Sequence, residues 1–175
     1  MRRWLLSALL LSAAFAVVPP SAVATEPNNQ SATYEFHLEE PNAAAAPNGD
    51  TITLTGMGVF SVHPKGASGG GGFTHNFAAG GSVSGTWTAD GLVSFQPYGC
   101  GVVFGTPLPE NFCGGQILLR VTLSPTGGGS LSGNLWVTCL IGPHVPAGAQ
   151  EGVRLNTTGL NFNKEAGGTN IFFLE

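Results

Sequence analysis

Hydrophobic and polar side chains alternate along most of the chain after residue 32, and this period of two predicts β-strands. The segment Tyr34–Glu39 is typical, because aromatic or aliphatic residues alternate there with charged ones. We find no comparable 3.6-residue stripe, which an amphipathic helix would need. The same alternation recurs at Ile52 and Leu54, Phe60 and Val62, Phe73 to Phe77, Val83 to Ala89, Val93 and Phe95, Leu119 to Leu123, Leu135 to Ile141, Val153 and Leu155, Leu160 and Phe162, and Ile171 and Phe173.

Turn signals separate the predicted strands. Ala89-Asp90-Gly91 predicts a tight hairpin, and Pro125–Gly129 predicts a turn between two apolar runs. The glycine-rich stretch Pro64–Gly72 predicts a flexible loop, and residues 41–50 predict another loop. Short connections place consecutive strands side by side and antiparallel, so we expect an up-and-down meander of about eight to ten strands.

A sheet of that size either closes on itself or splits into two layers. Glycines inside the predicted strands, such as Gly56 and Gly85, suit the tight bends of a small closed barrel. We therefore expect one all-β domain over residues 25–175, built as a closed or nearly closed β-barrel. The alternative is a two-sheet β-sandwich, for which only residues 99–115 and 142–150 are long enough to cross between sheets.

Two tripeptides carry a resemblance to known barrels. Gly85-Thr86-Trp87 and Asn134-Leu135-Trp136 resemble the Gly-x-Trp signature of lipocalins and avidins. In those families the signature lies on the first strand, whereas both tripeptides here lie in the middle of the chain. The resemblance therefore implies an architecture and no particular function.

The first 24 residues have the pattern of a secretory signal peptide. Arg2 and Arg3 precede an apolar run that ends at Pro19-Pro20, and Ala22-Val23-Ala24 supplies the small residues before a cleavage site. The run is shorter than the ~20 residues of a membrane span. We expect export, cleavage after residue 24, no membrane span after processing and a flexible N-terminal tail over residues 25–31.

The charge pattern argues against two classes of partner. Without the leader, only Lys65, Arg120, Arg154 and Lys164 remain as basic residues against ten acidic ones. Binding to nucleic acid or to an anionic membrane surface requires clustered lysine and arginine. The sequence therefore predicts neither partner.

Three cysteines are the most specific chemical feature after the leader. In an exported chain they predict one disulfide and one leftover thiol. Strand register arithmetic places all three at one end of the sheet, which favours Cys100–Cys113 and leaves Cys113–Cys139 as the alternative. We expect no metal site, since no Cys-x-x-Cys pair is present and His144 lies in a proline-flanked loop.

A set of aromatic residues and one histidine is the candidate ligand lining: Phe73, His75, Phe77, Trp87 and Phe95. His75 shares its parity with two phenylalanines, which would place an imidazole in an apolar interior. The more ordinary interpretations are a hydrogen-bonded core histidine and a histidine that faces solvent. The acidic residues around His37 lie opposite an apolar face and are expected to be solvated. Asn29 and Asn156 lie in Asn-x-Ser/Thr sequons, which matter only in a eukaryotic secretory pathway.

No catalytic or cofactor motif is present, so we expect no cofactor and assign no catalytic residue. Two interpretations lead: an extracellular structural or interaction module, and a binder of a small hydrophobic ligand or of an extracellular partner. The alternative is a cofactor-free isomerase or cyclase that uses a barrel lumen as a shaped cavity, because confinement needs few acid–base groups.

Overall fold

The computed structural model describes residues 31–175, so the predicted leader, nearly all of the predicted tail and Asn29 lie outside the described residues. Residues 31–175 contain no α-helix. They form twelve β-strands: β1 (Thr33–Ala45), β2 (Thr51–Ser61), β3 (Gly66–Asn76), β4 (Ser82–Cys100), β5 (Val102–Val103), β6 (Thr106–Pro107), β7 (Phe112–Pro125), β8 (Leu131–Cys139), β9 (Gly152–Thr157), β10 (Asn161–Phe162), β11 (Lys164–Gly167) and β12 (Asn170–Leu174).

The strands pair antiparallel and mostly in chain order. Strands β1 to β4 form a meander, β4 pairs with β7, and β7 to β10 continue the meander. Strand β12 returns to lie between β7 and β1, which closes a ring of six strands, β1-β2-β3-β4-β7-β12. Strand β11 pairs with β1, and the short β5 and β6 form a separate hairpin. The predicted all-β antiparallel meander is confirmed.

The predicted alternation places one face of each strand in a shared interior. In β1, Tyr34, Phe36 and Leu38 are buried, and Phe36 lies opposite Phe172 of β12. Strands β7, β8 and β9 are apolar on the same interior face, which makes the core continuous across the ring and the strands beyond it. The largest fully buried side chains are those of Trp87, Tyr34, Phe36, Phe60, Phe172, Ile52, Leu54, Ile117, Leu119, Leu135, Leu155 and Val121.

Ala89-Asp90-Gly91 is not a hairpin, so this sequence prediction was wrong. The segment lies inside the 19-residue strand β4, which pairs with β7 on both sides of it. The pairing register shifts between Ala89 and Gly91, which marks an irregularity of the β-bulge kind. The Asp90 carboxylate accepts a hydrogen bond of 2.8 Å from the Thr122 hydroxyl of the neighbouring strand. A second register shift, between Leu92 and Ser94, buries Leu92 and exposes Val93.

The predicted glycine-rich loop is also wrong for most of its length, because residues 66–72 belong to β3. Strand β3 lies between β2 and β4, and the backbones of both neighbours come very close to it. A Cβ atom on Gly71 would collide with the Thr55 carbonyl oxygen, and one on Gly70 with the Trp87 carbonyl oxygen. Glycine is therefore required here by close strand packing.

Residues 41–45 form the last part of β1 and not a loop, so the predicted loop over 41–50 shrinks to the turn after Ala45. Three other connections at the same end of the sheet, β3–β4, β7–β8 and β9–β10, are also five residues or shorter. We call this the open end. These turns are tight; in the β3–β4 turn, for example, Gly80 donates its N–H to the Phe77 carbonyl at 2.9 Å.

The opposite end, which we call the packed end, is filled with aromatic side chains. Tyr34 stacks on Phe60 with ring centroids 5.0 Å apart, and Phe95 and Phe172 meet Phe60 edge-on at 4.9 and 5.6 Å. Two long connections, residues 101–111 and 140–151, also lie toward this end. They are held together by backbone hydrogen bonds such as that from the Gly142 N–H to the Val102 carbonyl oxygen at 2.7 Å.

The Cys100–Cys113 disulfide closes the base of the 101–111 connection, as the sequence predicted. Cys100 and Cys113 are direct neighbours in the β4–β7 pairing. Cys139 is the free cysteine and is fully buried. Its thiol donates a hydrogen bond of 3.5 Å to the Cys113 carbonyl oxygen, so the three cysteines do lie at one end of the sheet.

Candidate functional site

The interior opens into a cavity of about 280 Å³ at the open end. The core residues Ile52, Phe73, Leu123 and Leu155 form its floor. The turns and strand ends supply the remaining lining: His75, Phe77, Val83, Pro125, Leu131, Thr157, Thr158, Leu160 and Phe162. The lining is therefore almost wholly apolar, with one imidazole and two threonines as its polar side chains.

His75 is held in the wall of this cavity by Asp50. The His75 Nε2 atom lies 2.9 Å from the Asp50 Oδ2 atom, and the His75 side chain is 19% exposed. The imidazole also packs against Phe77 at 4.4 Å and meets Phe162 edge-on at 5.2 Å between ring centroids. The aromatic neighbours and the carboxylate together fix the ring's orientation.

Asp50 is itself fixed by the turn that precedes β2. Its Oδ1 atom accepts a hydrogen bond of 2.9 Å from the Ala78 N–H, and its own N–H donates to the Asn48 side-chain oxygen at 3.1 Å. The Ala78 N–H and the His75 imidazole hold the pKa of Asp50 below its usual range. The carboxylate is therefore an acceptor at neutral pH, so His75 donates from Nε2. In the neutral imidazole this leaves Nδ1 as the acceptor.

The rim of the cavity carries exposed apolar side chains. Phe77, Val83 and Leu131 are 39%, 36% and 44% exposed. They make up three of the six large hydrophobic side chains that are exposed within residues 31–175. Scattered exposed hydrophobic residues are ordinary, but a group around one opening marks a surface that contacts an apolar ligand or partner.

The structure brings together three of the five residues that the sequence proposed as a ligand lining. Phe73, His75 and Phe77 line the open-end cavity. Trp87 lies deeper in the interior, is 1% exposed and donates its Nε1–H to the Thr55 carbonyl oxygen at 3.0 Å. Phe95 belongs to the aromatic group of the packed end. Neither of these last two residues lines the open-end cavity.

Sequence reasoning missed Asp50, the group that orients His75. The only sequence signal for Asp50 was the segment Asn48-Gly49-Asp50, which predicts a turn and gives no indication of a histidine partner. It also missed Leu160 and Phe162, which reach the cavity because the short β10 folds back onto β9. These contacts depend on a pairing that local alternation does not specify.

Two other groups of sequence candidates, the acidic residues around His37 and the Asn156 sequon, lie outside the open-end cavity. His37 lies between Glu35 and Glu39, with nitrogen to oxygen distances of 2.8 and 3.4 Å, and both glutamates are more than 40% exposed. The acidic face of β1 is thus largely solvated, as expected. Asn156 lies in β9, where its backbone pairs with β8 and β10.

Neither a cluster of metal ligands nor a membrane-spanning helix is present within residues 31–175. No three His, Cys, Asp or Glu side chains in this range are grouped so that they could hold a metal ion. The same range has no helix of the length and hydrophobicity needed to cross a membrane.

Comparisons with known proteins add no further evidence on this site. No protein-family model matches the chain, and no curated protein and no solved structure is significantly similar to it.

Proposed function

We propose that this protein is an exported binding module that holds a small hydrophobic ligand in its open-end cavity. The observation that carries the proposal is the apolar cavity itself, with its exposed apolar rim and the paired His75 and Asp50 in its wall. Burying an apolar ligand there would remove the exposed faces of Phe77 and Leu131 from water, which is favourable.

The size and polarity of the cavity define the ligand class. A volume of about 280 Å³ lies just below the ~300–1,000 Å³ range of sites for drug-sized molecules. The ligand is therefore small and mainly aliphatic or aromatic. One polar group that donates a hydrogen bond to His75 Nδ1 would orient it, because Nε2 is already bonded to Asp50.

Export is part of this proposal. The leader pattern of residues 1–24 supports it. The Cys100–Cys113 disulfide is compatible with an oxidising extracellular compartment. N-terminal sequencing of protein recovered from the extracellular fraction should give Thr25 as the first residue, and finding Met1 or Arg2 there would contradict export with cleavage.

Native mass spectrometry of the protein purified from its natural host tests ligand binding directly. We expect a co-purifying small molecule that is released on denaturation. The variant Leu131→Trp places an indole at the rim and should reduce the bound fraction. The matched control Met57→Trp substitutes a side chain that is 54% exposed and does not line the cavity, so it should leave the bound fraction unchanged. Equal ligand content in both variants would contradict the proposed site.

A second candidate is a cofactor-free isomerase or cyclase, and the His75–Asp50 pair is the observation that favours it. A carboxylate that fixes the imidazole tautomer leaves Nδ1 as a positioned general base inside an apolar cavity. Asp50→Asn retains an acceptor for the Ala78 N–H but presents an amide donor to His75. If the protein is an enzyme, this variant should bind the co-purified molecule and lose its conversion. Unchanged conversion would exclude His75 as the base.

The structural or interaction module is the third candidate, and the filled aromatic packed end supports it. In this case no ligand co-purifies, and the Leu131→Trp and Met57→Trp variants behave alike in every assay. The mass-spectrometry experiment therefore separates this candidate from the first.

A further inference from the structure

A second cavity lies on the outer surface, where the 101–111 connection lies over the start of β12. Its volume is about 480 Å³, and it shares no lining residue with the open-end cavity. Val103, Phe104 and Leu108 of the connection form one apolar wall, and Leu140 and Ile171 form the other. We call this cavity the outer groove. Phe104 is 83% exposed at its rim.

Glu151 lines the groove without a cationic partner. Its Oε2 atom accepts a hydrogen bond of 2.7 Å from the Leu140 N–H, and its Oε1 atom accepts one of 2.8 Å from the Asn170 N–H. No lysine, arginine or histidine in residues 31–175 forms an ion pair with it. Burial raises the pKa of Glu151. A half-buried carboxylate in this state is stabilised by any cation that approaches it.

Asn170, which also lines the groove, has an unpartnered acceptor. It is 2% exposed, and its Nδ2 atom donates to the carbonyl oxygens of Thr138 at 2.9 Å and Gly152 at 3.2 Å. Rotating the amide would place its oxygen against two other oxygens, so the orientation of the side chain is fixed. The Oδ1 atom then has no hydrogen-bond partner among the described residues. This oxygen is buried on the interior side of β12, the side that Phe172 also faces, so it lies beneath the groove and does not contact a ligand there.

The remaining polar side chains give the groove the character of an acceptor site. Glu39, whose carboxylate also lies 3.4 Å from the His37 Nδ1 atom, and Thr169 complete the polar lining. No lysine, arginine or histidine lines the groove within residues 31–175. A ligand that complements it must therefore carry hydrogen-bond donors, and a positive charge satisfies the two carboxylates as well.

We propose that the outer groove binds an amphiphilic organic ammonium ion. The apolar body packs between Phe104 and Ile171, and the ammonium group donates hydrogen bonds to the Glu151 carboxylate. Charge complementarity selects this occupant over a neutral or anionic one, because the groove offers acceptors and negative charge but no cation. The site is independent of the ligand proposed for the open end.

Titration with 4-phenylbutylammonium, followed by two-dimensional NMR of the protein, tests the proposal. We expect saturable shifts of the Leu140 and Ile171 amides, with no comparable shifts at Phe73 in the open-end cavity. The neutral analogue 4-phenylbutanol should bind about tenfold more weakly, because it lacks the charge-assisted hydrogen bonds. The anion 4-phenylbutyrate should not shift these amides.

Variants locate the contacts. Phe104→Ala removes an exposed apolar wall and should weaken binding about fivefold to tenfold without unfolding the protein. Glu39→Gln removes one carboxylate and should weaken it about twofold to threefold. Glu110→Gln is the matched control, since Glu110 lies on the same connection but does not line the groove. Glu151→Gln would place an amide donor against a backbone N–H, so the test rests on the first two variants.

Three results would overturn the proposal. The first is equal affinity for the ammonium ion and the alcohol. The second is binding that Phe104→Ala and Glu39→Gln leave unchanged. The third is a dimer, detected by analytical ultracentrifugation, that Phe104→Ala abolishes, since a second copy of the chain would then cover the groove.

Discussion

The same alternating strands form both ends of the interior, yet one end is filled with side chains and the other contains a cavity. At the packed end, four aromatic rings from β1, β2, β4 and β12 fill the space between the strands, and two long connections and a disulfide lie beyond them. At the open end, four short turns join the strand pairs, and a cavity lined by turn residues and strand ends lies between them. The contrast indicates that connection length, together with aromatic content, decides whether the interior of such a sheet is filled or accessible.

The polar groups follow the same division. Asp50, at the open end, is paired with an imidazole and a backbone N–H, so its negative charge is stabilised. Glu151, toward the packed end, is bonded to two backbone N–H groups and has no cationic partner within residues 31–175. Burial has the largest effect on the pKa of Glu151 and raises it, whereas hydrogen bonding has the largest effect on the pKa of Asp50 and lowers it. The negative charge of Asp50 is therefore stabilised by its neighbours, whereas no cationic side chain within residues 31–175 stabilises that of Glu151.

Removing one phenyl ring from each end should give the largest difference in stability between the two ends. Phe60 is fully buried among four other aromatic rings, so Phe60→Ala should lower the free energy of unfolding by about 3–5 kcal/mol. Phe77 is 39% exposed at the rim, and Phe77→Ala should cost less than about 1 kcal/mol. Urea unfolding followed by circular dichroism measures both. Equal losses would show that the rim is as tightly packed as the opposite end.

Removing the disulfide should affect the packed end alone. The double variant Cys100→Ala/Cys113→Ala frees a connection whose closure is worth about 3 kcal/mol in the chain-entropy model. We expect that loss in urea unfolding, together with NMR shifts in residues 101–111. The amides of His75 and Phe162 should keep their positions. Shifts at these two amides would mean that the ends are coupled.

The pH dependence of stability should have opposite signs for the two carboxylates. The lowered pKa of Asp50 gives a stabilising contribution that is present above its unfolded pKa of about 3.9 and is lost as the pH falls through the lower folded pKa. The raised pKa of Glu151 makes its contribution decline as the pH rises from about 4.3 toward the higher folded pKa.

Urea unfolding of the wild type, Asp50→Asn and Glu151→Gln between about pH 3 and pH 7 separates these effects. The advantage of the wild type over Asp50→Asn should shrink toward acid pH. Its advantage over Glu151→Gln should shrink toward neutral pH. Parallel profiles for the two variants would contradict the assigned surroundings of one carboxylate.

The smallest expected effect concerns Cys139, whose thiol should not react with alkylating reagents in the native protein. Burial, followed by the nearby charge of Glu151, raises the pKa of the Cys139 thiol to about 12. The thiolate is the reactive form, so the native protein should resist alkylation at neutral pH. Denatured, unreduced protein should yield one free thiol. A count of three would contradict the disulfide, and rapid alkylation of the native protein would contradict the burial of Cys139.

The sequence by itself determined the class of fold and the inward face of β1. Alternation of period two identified Tyr34, Phe36 and Leu38 as inward-facing because that period is a local property of an extended backbone. The cysteine pairing was also accessible, since the register of one hairpin and its neighbour places Cys100 close to Cys113. The predicted turn at Pro125–Gly129 agrees with the structure because turn chemistry is likewise local.

Tertiary structure alone decided the rest. Gly70 and Gly71 are typical loop residues when the local sequence is considered alone. They lie in a strand because β3 packs so closely against β2 and β4 that there is no room for a Cβ atom. Asp90-Gly91 is a typical hairpin-turn sequence, but β4 pairs with β7 on both sides of it, so the two residues form an irregularity within the strand. His75 acquired its partner because Asp50 and His75 lie at neighbouring strand ends, 25 residues apart in the chain. In each case the deciding contact joins segments whose proximity depends on strand pairing, which local sequence does not encode.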